Sequence, residues 1–359
     1  MLIFTNREIE VATNAPVFTK KFQPGAETLG VAQVLRSGSG FLLSQVQPNL
    51  NDDAAMHLLV ALFGGKRRVL IYLHGNNNLP STCFERCARL EEIYNLEVIG
   101  FSWTSEGYLS SGEDLPNIAA AVVTVQSDEH EYSLADVDAN NRKESWAQRK
   151  IRHYHQAKIN AQDSGDALAR FFRLLGAARL YVNHQPMTIA AHSLGCHFLQ
   201  YAIENESTTE SLGAAHNIAL LAACCRADGH EGWIRKIVPK GQVFITFNKG
   251  DSVLFGASIA DGQQTKLGTE PGTRIVSSKV RYVSFTNAKV GFGGHGYFVW
   301  DAGDKVPKTS KKLFDRMFGS ERDIQENQGE YPRKIYPVGC DENGSTCYMA
   351  DPSLESLGS

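Results

Sequence analysis

The chain predicts an α/β fold: a mostly parallel central sheet with helices on both faces and an inserted lid-like segment. Three observations carry this prediction. Short apolar runs recur at 68–73, 98–103, 187–191, 218–222, 243–247 and 280–285. Each has the length of a strand and reads as a continuous apolar stretch, as strands buried on both faces do. Helical patterns separate them, notably at 82–94, 144–175, 196–204 and 231–237, and such alternation is the signature of parallel strands joined by crossover helices. Finally, the run at 187–191 breaks at Ala191-His192-Ser193-Leu194-Gly195 and passes at once into helix-favouring sequence, which predicts a tight strand-to-helix turn.

Two segments depart from the rhythm. After the second run, residues 104–143 carry Glu106-Gly107, Ser110-Ser111-Gly112 and an acidic, polar stretch at 127–141 around one apolar piece, 118–125. This predicts an insertion or lid. The tail 319–359 is polar and contains Pro332, Pro337 and Pro352, so loose packing or disorder is expected there. Residues 1–318 are then read as one domain.

Composition narrows the functional classes. A net charge of −3 predicts no electrostatic draw toward nucleic acid or an anionic membrane surface. The opening residues lack the features of a secretory leader, and no apolar stretch approaches the roughly 20 residues needed to cross a bilayer, so a soluble, cytoplasmic protein is expected. Seven cysteines without regular spacing suggest reduced structural thiols rather than a disulfide framework.

The chemistry is expected at the carboxyl ends of the strands. A serine on a tight turn between strand and helix holds a strained backbone, so the positions two before and two after it must be small. Ala191 and Gly195 meet that requirement around Ser193. A hydrolytic serine also needs a base, an acid that orients the base, and donors for an oxyanion. Asp251 follows the run 243–247 in the turn Asn248-Lys249-Gly250-Asp251-Ser252 and is the candidate acid. The same position suits a helix N-cap. His295, in Gly293-Gly294-His295-Gly296-Tyr297, is the single histidine after Glu231 and is the candidate base. The order Ser193, Asp251, His295 is that of one known class of triad.

The oxyanion hole is assigned to the N–H groups of Leu194 and of Asn76, the latter in the turn Leu73-His74-Gly75-Asn76-Asn77-Asn78. His74 is read as a brace for that turn rather than as a second base. Trp103, Tyr108 and Phe298 fall near strand ends and are candidates to line an acyl pocket, or equally to pack in the core. His153, His155, His192, His197, His216 and His230 lack the spacing of a zinc site, and no phosphate-cradling loop motif is present. No metal and no cofactor are therefore expected.

Taken together these segments resemble the α/β-hydrolase superfamily, and within it the bacterial α/β-hydrolases grouped as a domain of unknown function (the DUF900 type). The resemblance rests on Phe4-Thr5-Asn6-Arg7, on 69–77, on Phe101-Ser102-Trp103-Thr104-Ser105-Glu106-Gly107, on the serine turn, on 248–254 and on His295-Gly296-Tyr297-Phe298. It spans roughly residues 1–318 and implies a triad of Ser193, Asp251 and His295. The chain departs from the family pattern at Thr104, often proline, at Gly296, often serine, and in the greater length of 108–143. The function expected is a serine hydrolase of the esterase, lipase or thioesterase kind, acting on a small-molecule or lipid acyl substrate through an acyl-enzyme. The competing readings are a catalytically silent scaffold acting as a partner subunit, and acyl transfer or peptidase chemistry on the same triad.

Overall fold

The computed structural model describes residues 1–11, 16–38, 40–116, 125–127, 130–132, 145–182, 186–204, 208–275, 277, 279–300, 305–319, 335–340 and 347–349. In chain order the elements are β1 (Leu2–Thr5), β2 (Arg7–Val11), β3 (Pro16–Phe22), β4 (Gly30–Ser37), β5 (Gly40–Gln47), α1 (Asp52–Phe63), β6 (Val69–Leu73), α2 (Pro80–Tyr94), β7 (Glu97–Ser102), β8 (Val125–Ser127), β9 (His130–Tyr132), α3 (Trp146–Asp163), α4 (Gly165–Tyr181), β10 (Met187–His192), α5 (Gly195–Glu204), α6 (Thr208–Leu212), β11 (Asn217–Leu221), α7 (His230–Ile234), β12 (Val243–Phe247), α8 (Ser252–Ala260), β13 (Val280–Ser284), α9 (Lys308–Gly319), β14 (Ile335–Cys340) and β15 (Cys347–Met349). The six apolar runs correspond to β6, β7 and β10 to β13.

Eleven strands form one sheet in the order β15-β14-β13-β12-β11-β10-β6-β7-β1-β4-β5. From β14 to β1 every neighbouring pair is parallel. β4, β5 and β15 are antiparallel additions at the two edges. The central strands β6, β10, β11 and β12 are buried at every residue, which explains their unbroken apolar character.

The topology locates the crevice. After β6 the chain moves to β7, on one side; after β10 it moves to β11, β12 and β13, on the other. Neighbouring β6 and β10 therefore flank the point where the strand order reverses. In open α/β sheets ligands bind beside the carboxyl ends of the strands at such a point. The turn after β6 begins at His74 and the turn after β10 holds Ser193.

Side-chain alternation assigns the two faces. Phe4 of β1 packs on Phe171 of α4 with ring centroids 4.7 Å apart, and Phe101 of β7 touches both Phe171 and Phe198 of α5. On the opposite face, Gly100 lies so close to α2 that a Cβ there would stand 2.7 Å from the Cys87 Sγ. α9 seals the same face through Phe314 and Phe318, which pack on Tyr94. Burying each of these aromatic side chains stabilises the fold by roughly 1.5–3 kcal/mol.

Several expectations change. The stretch 144–175 is two helices, not one, divided at Ser164, whose hydroxyl accepts a hydrogen bond from Asn6 Nδ2 at 2.7 Å. The tail, expected to be loose, contributes β14 to the sheet parallel to β13, and β15 pairs with β14. The free edge of β13 supplies the hydrogen-bonding partners that its polar composition hides. Of the inserted segment, 104–116 and the short β8–β9 hairpin are described; its apolar piece lies almost wholly outside the described residues, as do tail residues 320–334, 341–346 and 350–359. Among the described residues the cysteines Cys83, Cys87, Cys196, Cys224 and Cys225 are buried and free. No helix among the described residues is long and apolar enough to cross a membrane.

A buried ionic knot ties α3, the end of α8 and the strand ends together. Asp261 accepts from the Tyr154 hydroxyl at 2.9 Å, from Lys158 Nζ at 3.2 Å, and from the fully buried Lys266. The two ammonium groups hold its carboxyl well below the usual carboxylate range. Removing one partner of a buried pair leaves the other charge uncompensated. Asp261→Asn is therefore expected to lower unfolding free energy by about 3 kcal/mol in denaturant titration; a change below about 0.5 kcal/mol would mean that Lys266 is solvated or paired elsewhere.

Candidate active site

Ser193 occupies the turn between β10 and α5 with φ at +55°. A side chain at positive φ is disfavoured, so the turn must be held from outside. The Ser193 N–H donates to the Leu221 carbonyl at 2.9 Å, and its own carbonyl accepts from Cys196 and Cys224. The required smallness of the neighbours is visible in atoms. A Cβ on Gly195 would stand 2.6 Å from the carbonyl oxygens of Leu73 and His74, and one on Gly75 would stand 2.8 Å from the Ser193 Cβ. The β6 and β10 turns are thus in backbone contact, which only two glycines permit.

Asp251 performs two tasks at once. Its Oδ1 accepts from the N–H groups of Val253 and Leu254, at 3.0 and 2.9 Å, and so caps α8. Its Oδ2 lies 2.6 Å from His295 Nδ1. The helix-cap role and the histidine-orienting role are not alternatives but the two oxygens of one carboxylate. The Asp251 side chain is fully buried, and that of His295 is 13% exposed, so one end of the imidazole is anchored and the other is left for solvent or substrate.

The serine and histidine halves meet through His192. Its ring lies 4.6 Å from that of His295, centroid to centroid, and 5.0 Å from Phe298. Among the described residues no hydrogen bond joins the Ser193 hydroxyl to His295. In unliganded sites such bonds are often long and tighten only with substrate.

The turn after β6 is pinned by side chains of the β7 loop. Asn77, at φ +53°, donates its N–H to the Ser105 carbonyl, and the Asn78 N–H donates to the Ser105 hydroxyl. Asn78 Nδ2 also donates to the carbonyls of Gly75 and Asn76, at 3.0 and 2.7 Å. These bonds engage both carbonyls. The N–H groups of Asn76 and Leu194 donate to no acceptor among the described residues, as donors reserved for a ligand oxygen would.

His74 is a brace. Its Nε2 accepts from the Trp103 N–H at 3.1 Å, its carbonyl accepts from Trp103 Nε1, and its ring stacks on the indole. Full burial pushes its pKa down to about 3, and with both ring nitrogens engaged it suits a structural role rather than that of a base.

The expected pocket residues need correction. Trp103 and Phe298 are fully buried, Trp103 against His74 and Phe198, Phe298 against His192 and Tyr72. They support the walls and do not line them. Tyr108 packs against His153 and carries the Lys20 ammonium 3.6 Å above its ring, so it is occupied by the protein itself.

One pair with no role assigned in the sequence stands out. Arg7, just beyond β1, is fully buried and forms a two-pronged ion pair with Glu106, at 3.0 and 2.6 Å. It also donates to the carbonyls of Trp103 and, at 3.5 Å, Asn78. It thereby ties the β6 turn, which carries Asn76, to the β7 loop that braces it. Arg-to-Glu separation of about a hundred residues leaves no local sequence signal for it. Among the described residues, no group of three or more His, Cys, Asp or Glu is arranged to hold a metal ion.

Burial also pushes His197 down to about 3 and His192 well below its ordinary value. The folded protein keeps His74, His192 and His197 neutral, whereas the unfolded chain protonates them below about pH 6.5. Their stabilising contribution is complete above that pH and is lost as pH falls toward 3. The melting temperature should stay level from about pH 8 to 7 and decline steadily below about 6.5, as the unfolded chain takes up protons that the buried rings do not. A melting temperature independent of pH across this window would contradict the neutral, buried assignment.

No family model matches the chain, and neither do curated proteins or solved structures.

Proposed function

We propose that this chain is a serine hydrolase with an α/β-hydrolase fold, of the esterase, lipase or thioesterase kind, acting on an acyl ester or thioester. The observation that carries the reading is the 2.6 Å bond from Asp251 to His295, made by a carboxylate whose other oxygen is committed to the cap of α8. That division supports Asp251 as the acid, and with it the imidazole tautomer that carries its proton on Nδ1 and its lone pair on Nε2. Nε2 is then the acceptor for the Ser193 proton.

In this mechanism Ser193 attacks the acyl carbonyl while His295 takes its proton. Asp251 stabilises the imidazolium, and the N–H groups of Asn76 and Leu194 hold the oxyanion. His295 returns the proton to the leaving group, and water, activated by the same ring, releases the acyl-enzyme. The apolar surface beside the site suits an acyl substrate. α8 has only Leu254 buried among its hydrophobic residues and exposes Val253, Phe255 and Ile259, while Phe292 is fully exposed three residues before His295. The Ser252 hydroxyl donates to the Gly293 carbonyl at 3.2 Å, joining the two elements.

Substitutions separate chemistry from fold. Ser193→Ala should lower kcat by about 10⁶-fold on p-nitrophenyl esters. Asparagine caps helices as well as aspartate does, so Asp251→Asn should keep the melting temperature within a few degrees while kcat falls by about 10⁴-fold. Asp251→Ala should lose both. Near-normal turnover in Asp251→Asn would remove Asp251 from the triad.

A further inference from the structure

The face of β6 and β10 that looks toward α2 carries polar groups that neither the fold nor the proposed triad employs. In the sheet register Tyr72 pairs with Ala190 and with Gly100, and Gly100 faces the α2 cysteines. Tyr72 therefore points toward α2. His192, two residues past Ala190, emerges on the same face. Both side chains are buried, and both meet the ring of Phe298, at 6.2 and 5.0 Å.

The Tyr72 hydroxyl is buried with no hydrogen bond, and the His192 nitrogens, buried beside the His295 backbone, make none of good geometry. Leaving such a group unsatisfied costs about 1–3 kcal/mol. His192 Nδ1 also borders the β6 turn, where a Cβ on Gly75 would come within 3.3 Å of it.

Arg86 adds a charge. It stands on the α2 stripe that continues through Leu90 to Tyr94, at i, i+4 spacing, and the Tyr94 hydroxyl donates to the Phe298 carbonyl at 2.5 Å. The same helix sets Cys83 and Cys87 against Gly100, the register neighbour of Tyr72, so the Arg86 turn of α2 lies over this part of the sheet. Among the described residues Arg86 has no hydrogen-bonded or ion-paired partner, and its Nε is buried and unsatisfied. The other half-buried or buried basic groups of this region differ: Arg7 has Glu106, and Lys266 has Asp261. A buried guanidinium N–H without an acceptor is costly, and an anion would satisfy it.

We propose that Arg86, with the Tyr72 hydroxyl and the His192 imidazole, forms a subsite for a carboxylate group of the substrate, next to the Ser193 turn. The planar guanidinium matches a carboxylate through two parallel N–H donors, and the phenol supplies a third. With His192 neutral, the subsite holds one positive charge, which balances a monoanion and leaves a phosphate dianion in excess. The substrate class is then an acyl ester or thioester with a free carboxylate a short distance from the reacting carbonyl. Its description as a substrate site rests on the serine-hydrolase reading; the anion site itself does not.

The test uses the full chain with Ser193→Ala to stop turnover, and titrates it calorimetrically with monomethyl succinate, dimethyl succinate and inorganic phosphate. Monomethyl succinate should bind, and Arg86→Gln in the same background should weaken it by at least about tenfold, Tyr72→Phe by less. Arg86→Lys should retain part of the affinity, which excludes simple loss of fold. Dimethyl succinate should bind no more weakly in Arg86→Gln. Equal affinity for monomethyl succinate with and without Arg86 would overturn the subsite, and tighter binding of phosphate than of the carboxylate would overturn the assigned class. With the native serine, Arg86→Gln should lower the ratio of kcat/KM for an anionic over a neutral p-nitrophenyl ester by at least about tenfold. An unchanged ratio would overturn the subsite and leave the hydrolase standing. Carboxylate binding through Arg86, with neither ester turned over, would leave the subsite standing and overturn the hydrolase.

Discussion

Left-handed backbone costs a residue with a Cβ about 1–2 kcal/mol, and at Ser193 it persists because the groups around the turn leave no other path. The Leu221 carbonyl fixes the N–H, Cys196 and Cys224 fix the carbonyl, and the carbonyls of Leu73 and His74 crowd Gly195 so closely that nothing larger fits. The strain is local, but its causes are distributed. They include the pairing of β6 with β10 and of β10 with β11, and hence the point where the strand order reverses. The same packing that strains the serine brings the β6 turn, which carries Asn76, against the turn that carries Ser193 and Leu194.

Loops at strand ends have few apolar contacts to hold them, and here buried polar groups take over that task. Arg7 and Glu106 join the ends of β1 and β7 to the carbonyl of Asn78, and His74 with Trp103 closes the same region from within. Asp261 does the equivalent for α3 and α8. Buried ion pairs gain little over apolar packing in net stability. Their directional bonds instead fix geometry, which matters most where donors must point at one place. Asp251 belongs to the same logic: one oxygen secures a helix, and the helix secures the oxygen that meets His295.

Legibility from sequence followed the range of the interactions. The buried strands β6, β7 and β10 to β13 were readable because burial on both faces writes itself as an apolar run, and Ala191, Ser193 and Gly195 because a strained turn demands small neighbours. Asp251 was readable by position, though its two oxygens with separate partners were not. The edge strands β4 and β5 are half exposed, and their mixed composition hid them; β14, with its proline and glycine, was hidden in the same way. Trp103 and Phe298 were placed correctly along the chain but on the wrong side of the wall, because an aromatic residue at a strand end gives no sign of whether a neighbouring helix covers it. Arg7 with Glu106 is a meeting of distant segments, which no local pattern encodes.

The central claim is that Ser193 is activated by a histidine that Asp251 orients. Labelling of the purified full chain with a fluorophosphonate, read by intact mass, tests it most directly. A single adduct on the native chain that disappears in both Ser193→Ala and His295→Ala is the result predicted. A folded native chain that takes no adduct, or one whose adduct survives either substitution, would contradict it.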